Sequence, residues 1–526
     1  MAVSQLEIPI PSHASEPAAG RKATGELTRR ASLNAAASLV VYFTQVGVGL
    51  VVSPILVGGL GVSLFGVWQI LGRLITYMSA ADGRPTEALR LVIAHQQGSE
   101  NNDVKRRYVG GALGLWVLSL PVLALGGGVL VWVSPFITKM PEESYPMVRL
   151  ACALLVVNFL LANLAALPES VLRGMNLGFR RLGLQAGLIA AGGILTLGAI
   201  YLGFGLVGVA AAQVILSVLT GILFWAVVRK FVPWFGVALP TWVEVRSILG
   251  VSVWSFLGSL IAKIHLGSDV IVLGVLASAS AVTTYVLTGF AALAAMPIIS
   301  LIFIAVGPGL GEIIGQKQYG KAAKVLQEIL AMNWLLATAV GSTILLWNRS
   351  FLHLWVGSEH YAGFWTDLLI VLMMIQTVYI RTHSCVIDAA LQVRQRVIVN
   401  AVAALLSVVF MVILTPRLGM IGLCIGVLAG RVVQSVYLPL IVRSCLDRSP
   451  TAGALDVVRR GLVLGLLLAS SAFLGQRYLA SNWIELVACV GGSLGLILAL
   501  AFVAGLSSDS RAQLISRLRW MAPLRD

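Results

Sequence analysis

Charge is what this chain has least of. Only 11% of its 526 residues are Asp, Glu, Lys or Arg, and Asp and Glu together number 22. Soluble domains carry about 25% charge and about 45–50% apolar residues, whereas here the apolar fraction is 58%. A water-soluble core cannot absorb that much apolar surface, because too little of a globule's volume is interior. Cysteine is also sparse. The five cysteines, Cys152, Cys385, Cys424, Cys445 and Cys489, are odd in number and no two have metal-ligand spacing. No metal or cofactor is expected. A phosphate-binding loop, a nucleophile elbow and paired metal-spaced histidines are all missing. The nearest approach to a dinucleotide fingerprint, Gly309-Leu310-Gly311 with Gly315, has the wrong spacing and follows no strand. These absences argue against an enzyme.

What is present is apolar sequence in blocks of about twenty, the length that spans hydrocarbon at about 1.5 Å per residue. About fourteen such blocks can be counted between residues 33 and 505. The expected fold is an all-α polytopic membrane protein. Residues 1–32, with Pro9, Pro11 and Pro17 and the cations Arg21, Lys22, Arg29 and Arg30, read as a disordered cytoplasmic tail. Residues 506–526 read as a second tail.

The net charge of +15 invites a nucleic-acid partner, but the placement of the cations argues against one. With the N-terminus inside, 28 of the 37 Lys and Arg fall in inside segments, 5 outside and 4 within spans. This is the positive-inside distribution, kept in alternation through all fourteen spans. It predicts cytoplasmic termini and attraction to anionic membrane lipids. Two inside stretches, 85–97 and 310–327, carry apolar residues at helical spacing and read as amphipathic segments on the cytoplasmic face.

The two halves echo each other. Residues 55–60 (ILVGGL) read against 271–276 (IVLGVL), Gly205-Leu206-Val207-Gly208 against Gly419-Met420-Ile421-Gly422, and Arg180 against Arg396. The offsets are nearly equal, and the repeated unit holds six spans. An even number makes the copies parallel, related by an axis along the membrane normal. The expected division is a bundle at 33–228, a second at 248–442, and two added helices at 459–505. Very short Gly-rich links predict antiparallel hairpins for spans 1 and 2, 5 and 6, and 11 and 12.

Six plus six spans with two appended, the Gly hairpin closing each half, and an Asp82-Gly83 step followed by an amphipathic segment resemble the Wzx-type flippases of polysaccharide biosynthesis. Their superfamily also holds multidrug extruders and the lipid II flippase. The sequence departs from the family after Gly83, where Arg84-Pro85 interrupts the run. The resemblance implies a bacterial inner-membrane protein that moves a polyprenyl-diphosphate-linked oligosaccharide to the periplasmic leaflet. Polysaccharide polymerases and glycosyltransferases are then expected partners. An ion-coupled multidrug extruder is the alternative on the same fold.

Ionisable residues deep in the spans are the candidate site, since a charge at a helix centre costs about 2.5–3.5 kcal/mol to insert. Arg73, Lys263 and Arg431 are mid-span, and Arg381 lies in the inner half of its span. In a shared wet cleft they would bind a diphosphate, a task suited to the planar guanidinium fork. The competing reading pairs Lys263 with Asp269 and Arg381 with Asp388. Asp269 and Glu169 are the candidates for ion coupling.

Overall fold

The computed structural model describes residues 17–79, 85–97, 99, 101–175, 177–242, 244–246, 261, 263, 267–446 and 454–521. Helices dominate and no strand occurs among them. That is the expected outcome for a chain in hydrocarbon, where each backbone N–H and C=O must be bonded within its own segment.

The first helices in chain order are α1 (Pro17–Leu60), α2 (Val62–Met78), α3 (Pro85–His95) and α4 (Asn102–Thr138). They are followed by α5 (Tyr145–Gly174), α6 (Gly178–Tyr201), α7 (Gly205–Phe231) and a short apolar helix α8 (Gly267–Leu276). The second part continues with α9 (Ala279–Thr288), α10 (Phe290–Gly315), α11 (Tyr319–Trp355), α12 (Phe364–Ala389) and α13 (Val393–Cys445). The chain closes with α14 (Ala454–Arg477), α15 (Trp483–Leu500) and α16 (Ser508–Met521).

Among the described residues ten helices are long and apolar enough to cross a membrane, or eleven if α9 and the first part of α10, bent by 47°, form one span. One span counted in the sequence corresponds to a shorter apolar helix, α2, and of the span counted at 248–273 most lies outside the described residues, α8 beginning at Gly267. Two more are joined in α13, whose single interruption is Gly419 at φ 58°. Glycine is needed there because other residues disfavour positive φ. The chain reverses at Gly419, and 420–445 packs back along 393–418. A Cβ on Gly422 would overlap the carbonyl of Leu414, and one on Gly426 or Gly430 would meet the backbone of Met411 or Ser407. Three glycines four residues apart thus let two helices touch backbone to backbone. Gly205, at φ 55°, opens α7 after a similar reversal from α6.

Three expectations need correction. The disordered tail is one: α1 begins at Pro17, so 17–32 extend the first span as helix. Residues 17–36 are rich in Ala and Leu, which favour helix, and the prolines that discouraged it lie at or before Pro17. Residues 1–16, like Asp82-Gly83 and Arg84, fall outside the described residues. The 310–327 stretch is no separate amphipathic helix. It is the end of α10 and the start of α11, joined by a turn with Lys317 at φ 58°. The third is the first hairpin. After Gly61 (φ 81°) α2 leaves α1 and lies chiefly against α9. Gly66 meets the carbonyl of Ala279, and Thr283 Oγ1 donates to Val62 O at 2.7 Å. The 85–97 stretch does form an amphipathic helix, α3, with Ala88, Leu89 and Ile93 buried against α4 and α5.

Contacts between the two parts run along much of α1 and α2, from Thr283 on Val62 to Tyr77 OH with Ser268 Oγ at 2.9 Å. Tyr42 donates to Ala294 O, and Trp355 Nε1 to Leu50 O at 2.7 Å. The second part also holds a buried polar knot. Asn348 Nδ2 donates to Asp367 Oδ1 at 2.7 Å and to Thr288 O at 2.9 Å, tying α11, α12 and α9 together.

Candidate functional site

Helices α2, α8, α9, α10, α12 and α13 surround a cavity of about 310 Å³. Arg73, Asp269, Tyr285, Thr377, Arg381 and Arg431 supply its polar lining, and Met296, Met373 and Met374 line its apolar side.

The polar groups are held individually. Arg431 is 6% exposed, and its Nη1 donates to Thr377 Oγ1 at 2.9 Å. Gly430, beside it, brings this arm of α13 against Ser407 and fixes the depth of the arginine. Asp269 accepts from Tyr285 OH at 2.8 Å and from the Val270 N–H at 2.9 Å, which satisfies both carboxylate oxygens. Arg73 makes no hydrogen bond or ion pair with another described residue. Its stem passes the start of α8, with Cδ 3.8 Å from where a Cβ on Gly267 would stand. Among the described residues of the lining, three guanidiniums stand against one carboxylate, a formal excess of two positive charges.

Arg381 has two settings. It lines the cavity and also a second recess of about 600 Å³, bordered by Ser300, Ser384, Cys385, Asp388 and Arg396. Its Nη1 donates to Ser300 Oγ at 2.8 Å. The second recess opens at the end of α10 and α12 that carries the basic loops. Asp388 pairs with Arg396 at 2.9 Å, so the Arg381–Asp388 pairing weighed in the sequence is not the one formed.

The structure therefore brings four of the six sequence candidates to one cavity: Arg73, Arg381, Arg431 and Asp269. Lys263 is not part of its lining; its ammonium donates to Ser79 Oγ at the end of α2. Most of the span that carries Lys263 lies outside the described residues. Glu169 sits on α5, in the first half and away from this lining. Sequence reasoning missed Tyr285 and Thr377, which orient Asp269 and Arg431. Neither carries a charge, and inside an apolar helix each looks like ordinary core.

The other distinctive polar contact lies at the basic end of the first half, outside the spans. Arg107 Nε donates to Glu244 Oε1 at 2.9 Å, and the Thr241 N–H to Oε2 at 2.8 Å. Burial raises the pKa of Glu244, but hydrogen bonds from Thr241, the local backbone and Arg107 outweigh it and hold the carboxyl below its ordinary value.

Fold and site together define a polytopic α-helical membrane protein with a cationic cavity among the helices of its second part, to which α2 contributes Arg73. Solved structures of the same fold are transporters. The lipid II flippase MurJ, in an inward closed conformation, superposes with a TM-score of 0.66 at 14% identity, over 89% of this chain and 98% of that one. An inward-facing multidrug resistance MATE family transporter of the MOP superfamily gives 0.64 at 16% identity, over 78% of this chain and 96% of that one. The Vibrio cholerae MATE transporter VcmN in its bent form gives 0.51 at 15%, over 80% and 98%. No family model matches the sequence, and no curated protein matches it.

Proposed function

We propose that this protein is a flippase that carries a polyprenyl-diphosphate-linked oligosaccharide from the cytoplasmic to the periplasmic leaflet of a bacterial inner membrane. One observation carries the reading: three arginines from three different helices converge on one cavity that holds a single carboxylate. A diphosphate is the cargo group that matches this charge, since each planar guanidinium can bind two phosphate oxygens. The methionine wall offers adaptable apolar surface for the first part of a prenyl chain.

The mechanism is alternating access. The cargo's head group enters from the basic, cytoplasmic side past Arg381 and settles among Arg73, Arg431 and Arg381. The contacts of α2 with α9, and of Trp355 with α1, then open while the basic side closes. Asp269, with Tyr285, is the group we place in ion coupling, because its charge faces the same cavity as the cargo. Polymerases and glycosyltransferases of the same assembly route are the partners this reading implies.

The second reading is an ion-coupled multidrug extruder. Asp269 and the three methionines favour it, since cationic amphiphiles seek a carboxylate in an apolar pocket. Charge removal separates the two. Arg73→Ala and Arg431→Ala, at normal protein levels in cells, should each abolish or sharply reduce surface polysaccharide. Unchanged polysaccharide with altered drug tolerance would establish the extruder instead.

A further inference from the structure

A separate groove lies on the flank of the first part, between α4, α5 and α7. It measures about 460 Å³ and is lined by Leu113, Leu164, Pro168, Ile222, Trp225 and Phe235, among others. Ser217 brings the one hydroxyl of the lining, and donates it to Asn158 Oδ1 at 2.6 Å. The groove is therefore a dry slot. It is also open sideways: Leu164 is 40% exposed and Ile222 61%. In a bilayer such surface faces acyl chains.

One end of the slot is closed and charged. The segment after α7 folds across it, held by Arg106 Nε donating to Trp234 O at 2.8 Å and the Ala238 N–H donating to Arg106 O at 3.2 Å. This sets Phe235 edge-on to Trp225, with centroids 5.3 Å apart. The Arg229 guanidinium lies 5.1 Å from the Trp225 ring centroid, and Lys230 follows it in the last turn of α7. Arg106 passes 3.5 Å from where a Cβ on Gly236 would stand and has Asp103 at 3.5 Å. An apolar slot thus ends at two cations, Arg229 and Arg106, and the exposed carboxylate of Asp103, beside an aromatic pair of the kind that settles at headgroup depth, while the neighbouring Lys230 ammonium lies over Phe231 at 5.6 Å.

We propose that this groove is a binding site for an anionic phospholipid of the leaflet on the basic side. One acyl chain lies along α5 and α7, and its phosphate is held by Arg229 and Arg106. A chain alone would fill the slot equally well under any headgroup; the cations at its closed end select the anionic one. The site shares no residue with the cavity and holds whichever cargo the protein moves.

The test places the full-length protein in phosphatidylcholine nanodiscs doped with lipid brominated on its acyl chains. The fluorescence lost in Trp225→Phe identifies the signal of Trp225. Brominated phosphatidylglycerol should half-quench that signal at a mole fraction at least about fivefold below brominated phosphatidylcholine. The preference should vanish in an Arg106→Ala, Arg229→Ala double variant. Equal quenching by both lipids, in proportion to their bulk fractions, overturns the proposal. So does displacement of brominated phosphatidylglycerol by an equal fraction of polyprenyl phosphate, which would assign the groove to the cargo's tail. Should Trp225→Phe not fold, native mass spectrometry of the wild-type protein and Ile222→Phe serves instead. The first should retain phosphatidylglycerol and the second, with its groove filled, should not; equal retention overturns the site.

Discussion

Arg431 is the residue on which the site turns. A guanidinium 6% exposed between apolar helices has Thr377 as an acceptor for Nη1 and borders the cavity. A hydrogen bond to a charged group contributes about 1.5–3 kcal/mol, so Arg431→Ala and Arg73→Ala should each lower transport roughly tenfold or more in proteoliposomes. Arg431→Lys should fail to restore it, because an ammonium cannot take two phosphate oxygens in one plane. Glu169→Gln, away from the cavity, should leave transport unchanged. Glu244 makes a separate prediction. Its pKa is lowered in the folded protein, so its contribution is complete above the ordinary carboxyl value and is lost as pH falls through the lowered one. Glu244→Gln should therefore melt below wild type near neutral pH and converge with it in strong acid. At this scale the sequence was informative where charge marked depth: Arg73, Arg381, Arg431 and Asp269 all stand out in apolar helices. It was silent on azimuth, which is why Lys263 could not be separated from them and why Tyr285 and Thr377 went unnoticed.

Among the elements, α13 shows how a hairpin is written into a helix. Gly419 reverses the chain, and Gly422, Gly426 and Gly430 present bare backbone to the returning arm. Gly426→Ala should destabilise by about 1–3 kcal/mol or more, since backbone rather than a flexible side chain stands in the way. Thermal melting in detergent checks this, and Gly465→Ala, where a Cβ meets nothing, is the control. The reversals at Gly205 and Gly419 could be read from sequence because very short Gly-rich links leave the chain no room for anything else. The partner of α2 could not. Its face is apolar in the same way whether it meets α1 or α9, and the deciding contact is Gly66 against the Ala279 carbonyl, over two hundred residues away.

For the whole molecule, one place where the two parts touch is Val62 against Thr283. A Val62→Cys, Thr283→Cys pair, oxidised, should stop transport, and reduction should restore it. The end with the basic loops offers a native reporter. Cys385 borders the outer recess beside Arg381, so a membrane-impermeant maleimide should modify it from the cytoplasmic face and be slowed by cargo. Modification from the periplasmic face alone would reverse the orientation. Many helices, their blocks and their charge alternation were plain in the sequence because the bilayer imposes them. Which faces of the helices meet is a property of packing, and no local pattern encodes it.

Arg381 stands on the threshold between the two recesses. On the proposed flippase reading, a passenger from the basic side would meet that guanidinium before the deeper pair, and lose it last if it turned back. Neutralising the threshold should therefore act as a handicap on boarding: scarce cargo would be picked up more slowly, while molecules already lodged beside Arg73 and Arg431 would complete the crossing at their usual pace.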